Sequence, residues 1–118
     1  MDINMVSKLY RKNSLMTLSP KKFILWLLEE AIKALEKGQK AMLNKDIAEQ
    51  NNQIQITQQL ILEIIPLING GINGGKQLML LIEYVHRRLI EANIDSDFVA
   101  LKELEVFLIE LKSSWEEV

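Results

Sequence analysis

Cysteine is absent from the 118 residues. That removes a disulfide framework, a thiolate metal site and a cysteine nucleophile, and it fits a reducing compartment, so a cytoplasmic location is expected. Glycine and proline are scarce, at five and two residues, which leaves little of the chain for irregular or disordered structure. No long hydrophobic run occurs: the longest is Phe23 to Leu28, and the opening stretch MDINMVSKLYRKNSLMTL lacks an apolar h-region. Neither a signal peptide nor membrane insertion is expected. Charge of one sign is missing too, with 14 basic and 16 acidic residues giving a net charge of −2. Without a basic excess, nucleic acid is not an expected partner.

What the chain does have is apolar side chains, at 48% of residues, spaced at three and four. Four helical segments follow. The first opens at Ser19-Pro20, an N-cap followed by proline at the first helical position, and runs to about Leu43. The second opens at Asp46 with Glu49 three residues on and reaches about Ile68, its last turn kinked or ended by Pro66. The third runs from about Gly75 to Ala92, with Asn93 suited to the left-handed C-terminal position. The fourth runs from about Asp97 to Glu116. Short connections make successive helices antiparallel, so the expected fold is all-α, an antiparallel up-down four-helix bundle. Residues 1–118 are read as one helical-bundle domain, with an N-terminal segment over 1–18 and the bundle over 19–116. The N-terminal segment is open between a mobile tail and a short packed helix.

Gly70, Gly75 and Lys76 come one residue short of the P-loop pattern, because Gln77 stands where the magnesium-binding hydroxyl belongs. A helical segment rather than a strand precedes the glycines, so the stretch reads as an inter-helix connector. Glu83 and His86 have the Glu-x-x-His spacing of di-metal bundles, but such a site needs the motif twice and His86 is the only histidine. No metal, cofactor or catalytic residue is expected, and the chain is not read as an enzyme. Glu29, Glu30, Glu36, Glu103 and Glu110 fall on solvated helix faces.

Apolar residues exceed what one buried stripe per helix requires. The core is expected to hold Leu27, Ala31, Leu35, Ile54, Ile61, Ile82, Val85, Leu89, Leu104, Leu108 and Trp115. On the second helix Ile47 joins the core stripe, while Ile56, Leu60, Ile64 and Leu67 form another; on the third, Leu80 and Tyr84 point away from the core. Spare stripes must meet something, and Ile56, Leu60, Ile64, Leu80 and Tyr84 are expected to line a groove for an amphipathic helix or an extended peptide. The alternative is a homodimer or adaptor module in which the spare stripes bury one another. A mixed-charge polar face argues against a membrane surface.

Several of these stretches resemble a known family. Tyr10 with MTLSPKKFILWLLEEAIKAL, NKDIAEQNNQIQITQQLILEI, LLIEYVHRRLIEANI and LKELEVFLIELKSSW are similar, in order and in register, to the helices of the flagellin-specific export chaperones called FliS. Tyr10, Thr17, Ser19, Pro20, Asp46, Ile47, Asn51, Gln58, Leu89, Ala92, Asn93, Leu111 and Trp115 carry the match. Leu28-Glu29-Glu30 replaces the family's Tyr-Asp-Gly, and Thr57 stands where it has alanine. The resemblance implies a four-helix bundle that binds the disordered C-terminal segment of flagellin without turnover. It also implies prevention of premature polymerisation and delivery to a component of the flagellar export gate. Tyr10 lies in a weakly patterned segment and matches the family's N-terminal tyrosine; with spare apolar stripes to cover, it is expected at the flagellin-binding surface, where it and its neighbours act as a removable cover for the groove.

Overall fold

The structure is a computed structural model that describes residues 19–68 and 75–117. Five helices lie among them: α1 (Pro20–Leu43), α2 (Ile47–Leu62), α3 (Ile64–Ile68), α4 (Gly75–Asp95) and α5 (Phe98–Glu116). No strand is present among the described residues. Tyr10 and the rest of residues 1–18 lie outside them, as does the connector from 69 to 74.

Side-chain caps set three of the helix starts. Ser19 accepts a hydrogen bond from the Lys22 N–H at 3.2 Å, Asp46 from Glu49 at 3.1 Å and Asp97 from Ala100 at 3.0 Å, each satisfying an amide that has no partner within its helix. The two tight turns are copies of one another, 51 residues apart. In the first, Lys45 takes φ 58° and the Asp46 N–H reaches back to the Ala41 carbonyl at 2.9 Å; in the second, Ser96 takes φ 49° and the Asp97 N–H reaches Ala92, also at 2.9 Å. The left-handed residue is therefore Ser96 and not Asn93. Helix α4 runs on to Asp95, because the Asn93 side chain is engaged across to α2 and its carbonyl accepts the Ser96 N–H.

The second expected helix is two helices. Pro66 has no N–H to offer the Leu62 carbonyl, and the helix breaks at that carbonyl, with Glu63 between α2 and α3. Gly75 then permits α4 to start against α3: a Cβ there would lie 2.6 Å from Ile68 Cγ2.

The long helices form a closed ring. Helix α1 packs on α2 and α5, and α4 packs on α2 and α5, with α3 filling in against α4, α1 and α2. Gly38 lets α1 approach α2 closely, a Cβ at that position falling 3.1 Å from Ile54 Cγ1. Leu27, Ala31, Leu35, Ile54, Ile61, Ile82, Val85, Leu89, Leu104, Leu108 and Trp115, all expected in the core, are buried. Ile47 is the departure from its stripe, 70% exposed because the first turn of α2 stands at the end of the bundle. Lys21 Nζ donates to the Glu116 carbonyl at 3.2 Å and ties the start of α1 to the end of α5.

Candidate functional site

A helix with two neighbours in a four-membered ring buries a wide arc. On α2, at about 100° per residue, Gln50, Ile54, Thr57 and Ile61 occupy one border of that arc, and Ile56 and Leu60 the other, the whole being about 160° wide. Ile56 is 8% exposed, Leu60 2% and Ile64 0%. The expected groove is thereby corrected. Ile56 and Leu60 face the α1–α2 seam, where a depression of about 70 Å³ lies beside Glu30, Lys33 and Lys37. Leu80 and Tyr84 are exposed instead, at 66% and 42%. The Tyr84 ring lies 6.1 Å from that of Phe107 on α5, with the Arg87 guanidinium 5.9 Å above it. The two halves of the expected groove thus sit on different seams, because α2 touches α1 and α4 whereas α4 touches α2 and α5.

Helix α4 keeps apolar side chains on its outer face, interleaved with Lys76, Glu83, Arg87 and Glu91. Leu80, Tyr84, Ile90 and Ile94 fall within about 120° of one another on the helical wheel, centred opposite the buried Leu78, Ile82, Val85 and Leu89. Ile90 and Ile94 are 38% and 77% exposed. Of the charged residues on this face, Arg87 pairs with Glu91 at 4.0 Å. A helix needs one buried face for its fold, so a second one is surplus to folding and available to a partner.

Beside that face, the α2–α4 seam opens into a groove of about 370 Å³. Asn51, Gln55 and Gln58 run along its α2 wall, Asn93 and Ile94 along its α4 wall, and His86 is the one titratable residue lining it. The amides are ordered by each other. Gln55 Nε2 and Asn93 Nδ2 both donate to Asn51 Oδ1, at 3.1 and 2.9 Å. Behind them, the buried Gln50 donates through Nε2 to the carbonyl and Oδ1 of Asn93 and to Ser96 Oγ. Periodicity of apolar residues could not disclose this groove. Its signal in the sequence is polar, amides at 51, 55 and 58 on one helical face, and of these only Asn51 and Gln58 appear in the resemblance.

The remaining seam, α1–α5, holds a cleft of about 290 Å³ with Glu36, Lys40, Lys102 and Glu105 in its walls. Partial burial and the neighbouring Glu105 carboxylate raise the Glu36 pKa. Burial also works to raise that of Glu105, but hydrogen bonds with Lys102, Gln39 and Glu36 outweigh it and hold it low. The Lys102 ammonium lies 2.9 Å from Glu105. The two carboxyls face each other across the seam between the first and last helices, flanked by Lys40 and Lys102.

The sites suggested by the short motifs gain nothing from the fold. Lys76 is exposed on α4, and the helix preceding the connector is α3 rather than a strand. Glu83 is exposed, and no group of three metal-ligating side chains occurs among the described residues. No helix among them is long and apolar enough to cross a membrane.

The chain is 27% identical over 108 residues to the flagellar secretion chaperone FliS of Bacillus subtilis (strain 168), an alignment covering 92% of this chain and 81% of that protein. The family model described as flagellar protein FliS matches residues 2–118. With nearly its whole length matched, and with the fold of four long helices found independently, the chain belongs to the FliS family of flagellar proteins.

Proposed function

We propose that this protein is a cytoplasmic secretion chaperone that binds the disordered C-terminal segment of flagellin, prevents its premature polymerisation and delivers it to a component of the flagellar export gate. The observation that carries the reading is the outer face of α4, where Leu80, Tyr84, Ile90 and Ile94 stay exposed although the core is complete without them. A disordered partner must offset an ordering cost of about 2–5 kcal/mol or more, which calls for apolar area rather than a few polar contacts. The role is binding without chemical turnover. Among the expected contact residues, Leu80 and Tyr84 belong to this face, Tyr10 is kept as a cover for the binding surface, and Ile56, Leu60 and Ile64 act through the core.

The test is calorimetric titration of the full chain with a peptide of the flagellin C-terminal segment. Leu80→Asp and Ile94→Asp should each weaken binding about tenfold or more, since burying one such side chain is worth about 1.5–3 kcal/mol. Helical content and melting temperature should hold, because both positions face solvent. A parent chain that leaves the peptide unbound would end the proposal, and a parent that elutes as a dimer, broken by the same substitutions, would favour self-association of this face.

A further inference from the structure

Both tight turns stand at the same end of the bundle. Leu43 beside the first and Phe98 beside the second line one cleft, and on the opposite seam Gln50 reaches the Asn93 carbonyl and Ser96 Oγ. The 51-residue copy extends to what the turns display. Leu43 and Ile47 flank the left-handed Lys45 at two residues' distance, as Ile94 and Phe98 flank Ser96. Leu43, Ile47, Ile94 and the neighbouring Val99 are 65, 70, 77 and 64% exposed, and among the other large apolar residues described only Leu80, at 66%, matches them. A turn of this kind needs a left-handed residue and a capping aspartate, not an alkyl group on each side, so the apolar tips are surplus to folding.

Charge decides what fits. The first turn carries Lys45 and the second Asp95, both exposed and neither with an ion pair or a side-chain hydrogen bond among the described residues. Asp46 and Asp97 are occupied as caps. An end that bears one free charge of each sign, on turns otherwise alike, is complementary to itself. A two-fold axis across the bundle sets the first turn of one molecule on the second turn of the other, so that Lys45 meets the partner's Asp95 at both edges of the contact. Area sets the strength. The bundle measures 40 × 30 × 19 Å, and α1, about 36 Å long, fits only its longest dimension, which leaves an end of 30 by 19 Å. That is less than the about 800 Å² per partner of a standard interface, as suits a weak, exchanging pair.

We infer that this end of the bundle is a self-association surface, on which a second copy of the chain docks tip to tip over Leu43, Ile47, Phe98 and Val99, with Lys45 and Asp95 fixing which turn meets which. The inference goes beyond the chaperone reading and uses a surface other than the outer face of α4, Ile94 standing where the two meet. An end-to-end contact leaves the sides of both bundles open. Each copy therefore keeps its own client face, and the pair carries two clients.

The experiment is sedimentation velocity on the full chain at low salt, over about 1 to about 300 μM. The mass should rise with concentration from that of one chain towards that of two. Ile47→Asp should weaken the association about tenfold or more, because the two-fold axis counts each substitution twice, while Leu80→Asp should leave it unchanged. Lys45→Glu should weaken it about threefold, and Lys45→Glu/Asp95→Lys should restore it, since the exchanged charges still meet. All four positions are exposed, so each variant should keep the helical content of the parent. A chain that stays monomeric at about 300 μM overturns the inference. So does a dimer indifferent to Ile47→Asp, or one that the double exchange fails to restore. Flagellin binding is read separately by the calorimetric titration, so either result leaves the chaperone reading to its own test.

Discussion

Leu108 and Leu89 are sealed from solvent on helices that pack on each other. Leu108→Ala and Leu89→Ala should each cost about 2–5 kcal/mol in urea unfolding, and a variant that unfolds with the parent would place its side chain outside the core. Leu60→Asp should be worse, since a carboxylate at a position 2% exposed is stripped of water, and loss of the cooperative transition is the expected outcome. Glu36 and Glu105 carry the pH dependence of the α1–α5 seam. The folded-state pKa of Glu36 lies above its unfolded one, so its contribution is present at low pH and is lost as pH rises through the raised value. Glu105 runs the other way, its contribution being lost as pH falls through the lowered value. Glu36→Gln should therefore melt higher relative to the parent at pH 7 than at about pH 4, by less than about 1 kcal/mol given that Glu36 is exposed. The core residues could be read from the sequence because each helix repeats its apolar positions at three and four. The exposure of Ile47 could not, because periodicity knows nothing of where a neighbouring helix ends.

Helix ends were legible for a different reason. Ser19, Asp46 and Asp97 are side chains whose oxygen bonds the amide three residues on, a local geometry that needs no tertiary partner. Asp97→Ala should cost about 1 kcal/mol, visible as a lowered melting temperature and as faster amide exchange at Ala100, whose N–H loses its acceptor. The last turn of α4 was misread in the same region. Asn93 tolerates the left-handed conformation, but its side chain serves Asn51 and Gln50 across the seam, and the turn falls to Ser96, which copies Lys45 of the other hairpin. Alanine at 41 and 92 and aspartate at 46 and 97 keep that copy in register, a repeat too short for composition to reveal. The break before Pro66 was legible in kind and displaced by three residues, because the missing bond belongs to the carbonyl at Leu62.

At the scale of the whole molecule, ring closure decides which apolar surface is left over. The sequence showed that stripes were in excess. Which of them belonged together could not be read, since that depends on α2 lying between α1 and α4. Removing residues 1–14, which include Tyr10, should speed association with the flagellin peptide in stopped-flow fluorescence, because a cover that competes with the client lowers the competent fraction. An unchanged rate would separate Tyr10 from the groove. The close fit of Gly38 against Ile54 bears on how the protein is made. Helices α1 and α2 are neighbours in the chain as well as in space, so their hairpin can form as soon as both have left the ribosome. At about 5–20 residues per second, α5 emerges several seconds later. For that interval the side of the hairpin that later meets α4 and α5 lies open, and a chaperone of this architecture spends its own first seconds as a sticky half-bundle.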